Sequence, residues 1–344
     1  MSTADASPLS KREAQVLQAL VKVHIALGDP VGSQTLCQRE SLGVSSATIR
    51  NALANLEEKG YVTQPHTSAG RIPSEKGYRF YVEQSMAEGG FGLDAEGIAL
   101  RQRLETALTE GDYREILHEL ARTIGDMSNQ LGLVLSPRFK QGVFYKLELL
   151  RLEANRLLLV VTVRGGLVRA LVIEVDAPVS SRELEDLAQL FNERLHGLTM
   201  AEIQATAQQR LAVLARVSQP VVEAVVYQIE ALSAASAADL HVSGTRNLCL
   251  KPEFGDPLQV AGLVDLAEKK DILAQLMSER CGVVITIGSE HRPQAMRQCS
   301  MVTASYEVSG AQGVIGVIGP TRMPYGPVVA LVNYAASRAA ALAC

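Results

Sequence analysis

Several features that mark common protein classes are missing from this chain. It has no tryptophan, and aromatic residues make up only 4%. Its five cysteines are scattered, none belongs to a C-x-x-C pair, and no histidine lies at a metal-ligand offset from one of them. Such spacing supplies neither a disulfide framework nor a metal site. We therefore expect a reducing compartment, no metal and no cofactor.

Long apolar runs are also missing. The densest run, residues 157–161, has the length of a strand, whereas a membrane-spanning helix needs roughly 18–20 apolar residues. The first eight residues are polar and lack the apolar region of a signal peptide. The sequence predicts a cytoplasmic protein with no membrane partner.

The chain as a whole lacks the surplus of basic residues that is common in nucleic-acid-binding proteins. It has 33 Lys and Arg and 37 Asp and Glu, which give a net charge of −4. The charge is unevenly distributed. Residues 1–83 hold nine basic and eight acidic side chains, and residues 84–344 hold 24 and 29. The overall charge therefore does not exclude DNA binding by the first segment. With 344 residues, 47% of them apolar, the chain is long enough for two or three domains.

What is present near the start is a helix-turn-helix pattern. A capping box that begins at Ser10 predicts a helix over residues 11–27, and a short second helix follows over 34–41. A third helix begins after Ser45 and ends near Gly60. Its inward stripe, at helical spacing, consists of Ile49, Ala52, Leu53 and Leu56.

The outward face of this third helix carries groups that suit a major groove. Arg50 can form two hydrogen bonds with a guanine and Asn51 two with an adenine. Ser45, Ser46 and Thr48, near the helix N-terminus, suit phosphate oxygens. We predict that these five residues contact DNA. The alternative is an ordinary solvated helix face.

The next segment favours DNA binding. Residues 61–64 read as a strand, 65–73 as a turn-rich loop with a return strand, and 74–82 as another helix. A loop between two short strands after a helix-turn-helix is the pattern of a winged helix. The DNA-contacting residues predicted in this segment are His66, Thr67, Ser68, Gly70, Arg71, Lys76 and Arg79.

The remaining chain indicates an α+β protein with several domains. A glycine-rich acidic stretch, residues 84–98, predicts a linker. Apolar segments then predict three strands between 143 and 175, and helices follow from 178. Strand signals return after 240. Strands, a helical block and strands again suggest one domain that carries an insertion, although the pattern leaves open whether the outer parts form one sheet.

No catalytic pattern emerges from the second half. The glycines in 313–319 lack the spacing of a dinucleotide-binding loop. No nucleophile or carboxylate pattern accompanies the histidines, which are His196, His241 and His291. We expect a protein that is not an enzyme. Two distinctive segments, 252–254 and 319–322, are interpreted either as turns that shape a sheet or as a pocket or interdomain contact that orients the DNA-binding part.

Several longer strings closely resemble the HrcA family of heat-inducible transcription repressors. The strings in the N-terminal part are ATIRN (47–51), LEE (56–58), PHTSAGR (65–71) and GYRFYV (77–82). Those in the second half are GTRNL (244–248), PEF (252–254) and GVIGPTRMPY (316–325). The resemblance covers most of the chain and is weakest over 84–100 and 178–240.

The resemblance implies a domain plan and partners. It implies an N-terminal winged helix-turn-helix over 1–83, a linker over 84–98, a GAF-like domain in two segments (99–177 and 253–344) and an inserted, mainly helical dimerisation domain over 178–252. It also implies a homodimer that represses chaperone operons in the heat-shock stress response. Its target would be double-stranded DNA with the inverted repeat called CIRCE, and a GroEL-type chaperonin would keep it active.

A second function remains open at this level. GAF-like folds often hold small ligands, so the chain could be a winged-helix transcription factor controlled by a ligand in that domain. Its N-terminal segment would then serve as the output of a sensor.

Overall fold

Three antiparallel sheets and the helices around them make up the structure, a computed structural model that describes residues 9–67, 69–89, 113–153, 155–164, 168–175, 179–233, 240–308 and 310–341. The predicted α+β class is confirmed. None of the helices in these ranges is long and apolar enough to cross a membrane.

The N-terminal part combines four helices with a two-stranded ribbon. Its elements are α1 (Lys11–Leu27), α2 (Ser33–Arg39), α3 (Ser46–Glu58), β1 (Val62–Thr63), β2 (Ile72–Pro73) and α4 (Glu75–Ala87). The predicted capping box at the start of α1 is confirmed, because the Ser10 hydroxyl accepts from the Glu13 amide at 3.2 Å and the Glu13 carboxylate accepts from the Ser10 amide at 2.8 Å. The helix therefore starts where its first free amides are satisfied.

The Glu13 carboxylate also links the first and third helices. Lys59, which follows α3, places its Nζ 2.9 Å from Glu13 Oε2. Glu13 is only 6% exposed. A nearly buried carboxylate is tolerated here because it accepts hydrogen bonds from both an ammonium group and a backbone amide.

A five-stranded antiparallel sheet forms the centre of the molecule, in the order β7-β3-β10-β9-β8. Its strands are β3 (Leu131–Leu135), β7 (Leu240–Ser243), β8 (Val283–Ile287), β9 (Cys299–Val308) and β10 (Ala311–Pro320). Since β3 pairs with both β7 and β10, segments on either side of the helical block belong to one sheet. The two outer parts of the chain therefore form one sheet, which the sequence pattern alone left open.

Helices cover both faces of this sheet. On one face, Ile315 and Val317 of β10 lie in a core to which a pair of helices from the second half of the chain contributes. On the other face, Val314 and Ile318 lie in a second core, to which a set of three helices contributes. The first pair is α5 (Tyr113–Ser128) and α12 (Tyr325–Ala341). The second set is α9 (Thr245–Cys249), α10 (Pro257–Glu268) and α11 (Lys270–Ser278). A sheet buried on both faces accounts for the continuous apolar run of β10.

A separate core lies under a three-stranded sheet in the order β4-β5-β6. Its strands are β4 (Phe144–Glu153), β5 (Arg156–Val163) and β6 (Val168–Glu174), and its helices are α6 (Ser181–Leu195), α7 (Met200–Leu211) and α8 (Ala215–Ser233). The sequence pattern placed the strands in the flanking domain and the helices in the insert. In the structure, all six elements bury their apolar side chains together.

The N-terminal helices and the five-stranded sheet share one continuous apolar core. Tyr78 of α4 meets Tyr325 of α12 with ring centroids 6.2 Å apart, and they are 4% and 1% exposed. The N-terminal part is therefore packed against the central sheet rather than held only by the residues that connect them.

The Glu13 carboxylate should make the stability of the fold depend on pH. Hydrogen bonds from Lys59 and Ser10 lower the pKa of Glu13 from 4.5 to about 2. Because the folded pKa is the lower one, the carboxylate stabilises the fold above pH 4.5, and this contribution is lost as the pH falls towards 2. We expect Glu13→Gln to unfold at lower denaturant concentration at neutral pH, with a smaller further loss between pH ~5 and pH ~3.

The matched control is Glu83→Gln, which changes an exposed carboxylate on α4. Its pH dependence should follow that of the unmodified chain. If Glu13→Gln lost stability in parallel with the unmodified chain across this range, the proposed contribution of Glu13 would be wrong.

Candidate nucleic-acid interface

The N-terminus of α3 is organised by serine and threonine hydroxyls. Ser45, the N-cap residue, accepts a hydrogen bond from the Thr48 amide at 3.3 Å, and their hydroxyl oxygens lie 3.0 Å apart. The Ser46 hydroxyl lies 3.0 Å from that of Ser33 at the start of α2. The helix N-terminus, with its partial positive charge, is thus held by α2. Ser45 and Thr48 are exposed and accessible to a phosphate oxygen.

Arg50 and Asn51 lie on the exposed face of α3, opposite the buried stripe. Ile49, Ala52 and Leu53 of that stripe pack into the N-terminal core. Among the described residues, no hydrogen bond or ion pair engages the side chain of Arg50 or Asn51. A guanidinium and an amide that are exposed on a rigid helix are available for hydrogen bonding to base edges.

The loop between β1 and β2 is closed by a side chain that the sequence reasoning missed. Gln64 donates from Nε2 to the carbonyl oxygens of Thr67 and Ala69, at 3.0 and 2.9 Å. His66 accepts from the Ala69 amide at 2.9 Å through its carbonyl, and His66 and Thr67 are exposed. A glutamine just after a short strand is the only sequence signal for this bracing. Ser68 lies outside the described residues.

The base of this loop is fixed to the turn before α2. Arg71 and Val31 exchange two backbone hydrogen bonds of 2.9 Å each. A Cβ atom on Gly70 would lie 2.4 Å from the Val31 carbonyl carbon, so a glycine is required at this crossing. The Arg71 guanidinium pairs with Glu57 of α3 at 2.8 Å. Arg71 therefore braces the ribbon against α3.

The two basic residues predicted on α4 also have partners within the chain. Lys76 donates to the Lys59 carbonyl at 2.9 Å, and its Nζ lies 4.2 Å above the centre of the Tyr61 ring. Arg79 pairs with Glu290, a residue of the C-terminal half. The structure thus brings Ser45, Thr48, Arg50 and Asn51 together on one exposed helix end, whereas Arg71, Lys76 and Arg79 take part in internal contacts.

Comparison with known proteins shows which family this chain resembles. A model of the HrcA protein C-terminal domain matches residues 114–329. The heat-inducible transcription repressor HrcA of Natranaerobius thermophilus is 35% identical over 325 residues, which cover 94% of each chain. That of Prosthecochloris aestuarii is 36% identical over 352 aligned positions, which cover 98% of each chain.

This chain belongs to the HrcA family. The family model spans α5 to the first part of α12, and the full-length HrcA relatives extend the similarity over the N-terminal part. A crystal structure of a hypothetical protein at 2.2 Å resolution shows the same overall fold as this HrcA chain. It has a TM-score of 0.63 and 22% identity, and it covers 97% of this chain and 98% of the other.

Proposed function

We propose that this chain is a heat-inducible transcription repressor, active in the cytoplasm, that binds the CIRCE inverted repeat as a homodimer through an N-terminal winged helix. The exposed Arg50 and Asn51 on α3 carry the proposal, together with family membership. They provide the hydrogen-bonding groups that read guanine and adenine in a major groove. Relatives named as transcription repressors support a regulator rather than an enzyme.

The proposed DNA contacts fall into four groups. Arg50 and Asn51 contact bases, and Ser45, Ser46 and Thr48 position the helix on phosphates. His66, Thr67, Ser68 and Gly70 would follow the backbone from the loop. Arg71, Lys76 and Arg79 approach phosphates only if their internal partners release them. Affinity therefore depends more on base contacts and on dimerisation than on bulk positive charge.

We also propose the domain plan. In this plan, residues 1–83 form the winged helix, 84–98 the linker, 99–177 and 253–344 the GAF-like domain, and 178–252 the dimerisation insert. The structure corrects the start of the linker, because residues 84–87 still belong to α4, and residues 90–98 lie outside the described residues. The shared core of β4–β6 and α6–α8 supports placing the three strands with the insert, because both sets bury their side chains in the same cluster. We therefore propose that the insert starts near residue 139 rather than at 178, and that the first GAF-like segment ends there.

The dimer contact is proposed at the outer face of the β4–β5–β6 sheet. One cross-strand row on this face consists of Leu150, Leu158 and Val172. Leu150 is 53% and Val172 44% exposed, and Val168 on the same face is 54% exposed. An open apolar sheet face in a soluble protein is typical of an interaction surface. A second copy of the same face is self-complementary about a two-fold axis, the symmetry of an inverted repeat.

Family membership favours this function over a factor controlled by a small ligand, since the HrcA relatives are described as heat-inducible. We further propose that a GroEL-type chaperonin maintains the active form. A protein that binds only the folded, DNA-competent state raises the population of that state by mass action.

Replacement of Arg50 tests base reading. Arg50→Ala should weaken binding to the inverted repeat by about 1–3 kcal/mol and leave binding to random DNA nearly unchanged, because one bidentate base contact is lost. A titration of both duplexes in a gel-shift assay measures this. Arg122→Ala, which removes an exposed arginine from α5, is the control and should bind as the unmodified chain does. Equal discrimination by Arg50→Ala and the unmodified chain would rule out the base-reading role.

Replacement of Val172 tests the dimer face. Val172→Asp should shift the protein towards monomer at micromolar concentration, because two carboxylates would be buried against apolar surface. Sedimentation velocity measures the change. Val213→Asp is a matched control in the same structural unit, since Val213 is 51% exposed but lies outside the sheet. A stable Val172→Asp dimer would place the contact elsewhere.

A gel-shift with the inverted repeat tests the function as a whole. We expect the unmodified chain to retard a duplex with both half-sites more strongly than a scrambled duplex, and chaperonin to increase the retarded fraction after mild heating. Equal retardation of both duplexes would contradict the repressor assignment. No recovery with chaperonin would contradict only the chaperonin partner.

A further inference from the structure

The segments 252–254 and 319–322, which the DNA-binding proposal does not use, meet at the C-terminal end of α1. Arg322 donates from Nε to Glu253 Oε1 at 2.6 Å, and Nη2 lies 2.6 Å from the same oxygen. Its Nη1 donates to the backbone carbonyl of Ile25 at 3.1 Å. Arg322 therefore links the region after the central sheet to a helix of the N-terminal part.

The end of α1 is well suited to a cation. Its last carbonyl groups carry a partial negative charge, and helix ends accept arginine for that reason. Gly28 caps the helix in the left-handed conformation, with φ +81°. A Cβ atom on Gly28 would lie 3.2 Å from both Cζ and Nη1 of Arg322. The glycine thus ends the helix and leaves room for an arginine that is almost 300 residues away in sequence.

A second polar contact joins α4 to β8 and to the segment that follows it. Arg79 pairs with Glu290 and donates to the Ile285 carbonyl at 2.9 Å. Glu75 accepts a hydrogen bond from the Ser289 amide at 3.1 Å. Gly288 has φ +54°, and a Cβ atom there would lie 2.1 Å from the Glu75 carboxylate. The positive φ favours glycine at this position, and a larger residue would also displace the Glu75 carboxylate.

Each of these two contacts uses residues that are close in sequence to one ring of the buried Tyr78–Tyr325 pair. Tyr78 lies between Glu75 and Arg79 on α4, and Tyr325 lies three residues after Arg322. Two charged contacts and an aromatic pair fix a rigid body in orientation more firmly than a single apolar patch, because hydrogen bonds are directional. Arg50 and Asn51 remain exposed in this docked arrangement.

We propose that these groups form an interdomain clamp, defined by Glu75, Arg79, Glu253, Glu290 and Arg322, which sets the direction in which α3 is presented to DNA. Arg322 is its main positioning residue. The proposal rests on the proposed function, since it concerns how a dimer places two copies of α3 on two half-sites. A rigid connection raises the effective concentration of the second α3 at its half-site, and a loose one lowers it.

The experiment compares two duplexes with full-length protein, one with both half-sites and one with a single half-site. Arg322→Gln keeps a polar side chain but shortens it and removes the charge. We expect it to bind the double-site duplex about tenfold more weakly and the single-site duplex within about twofold of the unmodified chain. Glu290→Gln should act in the same direction through the second contact. Arg122→Gln, in an exposed ion pair with Glu119, is the control and should change neither.

Hydrogen exchange, measured without DNA, tests the clamp separately from the proposed repressor function. The Ser289 amide donates to Glu75 across the contact, so its hydrogen exchange reports on docking directly. We expect faster exchange at Ser289 in Arg322→Gln, and unchanged exchange for core amides of α3. This result is independent of which DNA the chain binds. Failure of the repressor assignment would appear instead in the gel-shift assay, as equal binding to the inverted repeat and to the scrambled duplex.

Three outcomes would overturn the clamp. Equal weakening on both duplexes would mean that Arg322 only supports the fold of the N-terminal part. Unchanged binding to both duplexes, with unchanged exchange at Ser289, would mean that the contact has no positioning role. Tighter binding to the double-site duplex would mean that the docked arrangement opposes DNA recognition.

Discussion

The packing of Tyr78 against Tyr325 is the contact on which the arrangement of the N-terminal part depends. Both rings are almost fully buried, and burial raises the pKa of each hydroxyl, so both remain neutral. The Tyr325 hydroxyl is satisfied by the Ser300 hydroxyl at 2.7 Å and the Thr321 carbonyl at 2.8 Å. Because the pair lies inside a core common to four N-terminal helices and the central sheet, the N-terminal part cannot move without exposing apolar surface.

Charge in the N-terminal part is used mainly for internal bracing. Arg71 holds the ribbon to α3 through Glu57, and Lys59 holds the end of α3 to α1 through Glu13. Partly buried pairs of this kind are costly to break on one side, since the remaining charge loses its partner. The exposed part of α3 carries one arginine, the amides of Asn51 and Asn55 and the carboxylate of Glu58, so it has no surplus of positive charge. The proposed recognition therefore relies on base edges more than on attraction to phosphate.

The division into two apolar cores follows from how each sheet is covered. Helices cover both faces of the central sheet, whereas, in the part of the chain that the structure describes, helices pack on only one face of the three-stranded sheet. The second sheet therefore presents leucine and valine to solvent, at the face where we propose the dimer contact. The central sheet is thus covered and packs against the N-terminal part, whereas the three-stranded sheet leaves apolar side chains exposed.

By itself, the sequence determined the local elements and the family. Helix caps such as Ser10 and Glu13, the stripe of α3 and the alternation of β5 involve residues at most a few positions apart, so short patterns predict them. The exposed position of Arg50 followed from the same periodicity. Tertiary structure alone decided that β3 joins β7 and β10, that β4–β6 pack with α6–α8, and that Arg79 pairs with Glu290 rather than remaining free. Such contacts join residues up to about 300 positions apart, where no periodic pattern records the partner and the topology of the sheet sets the distance.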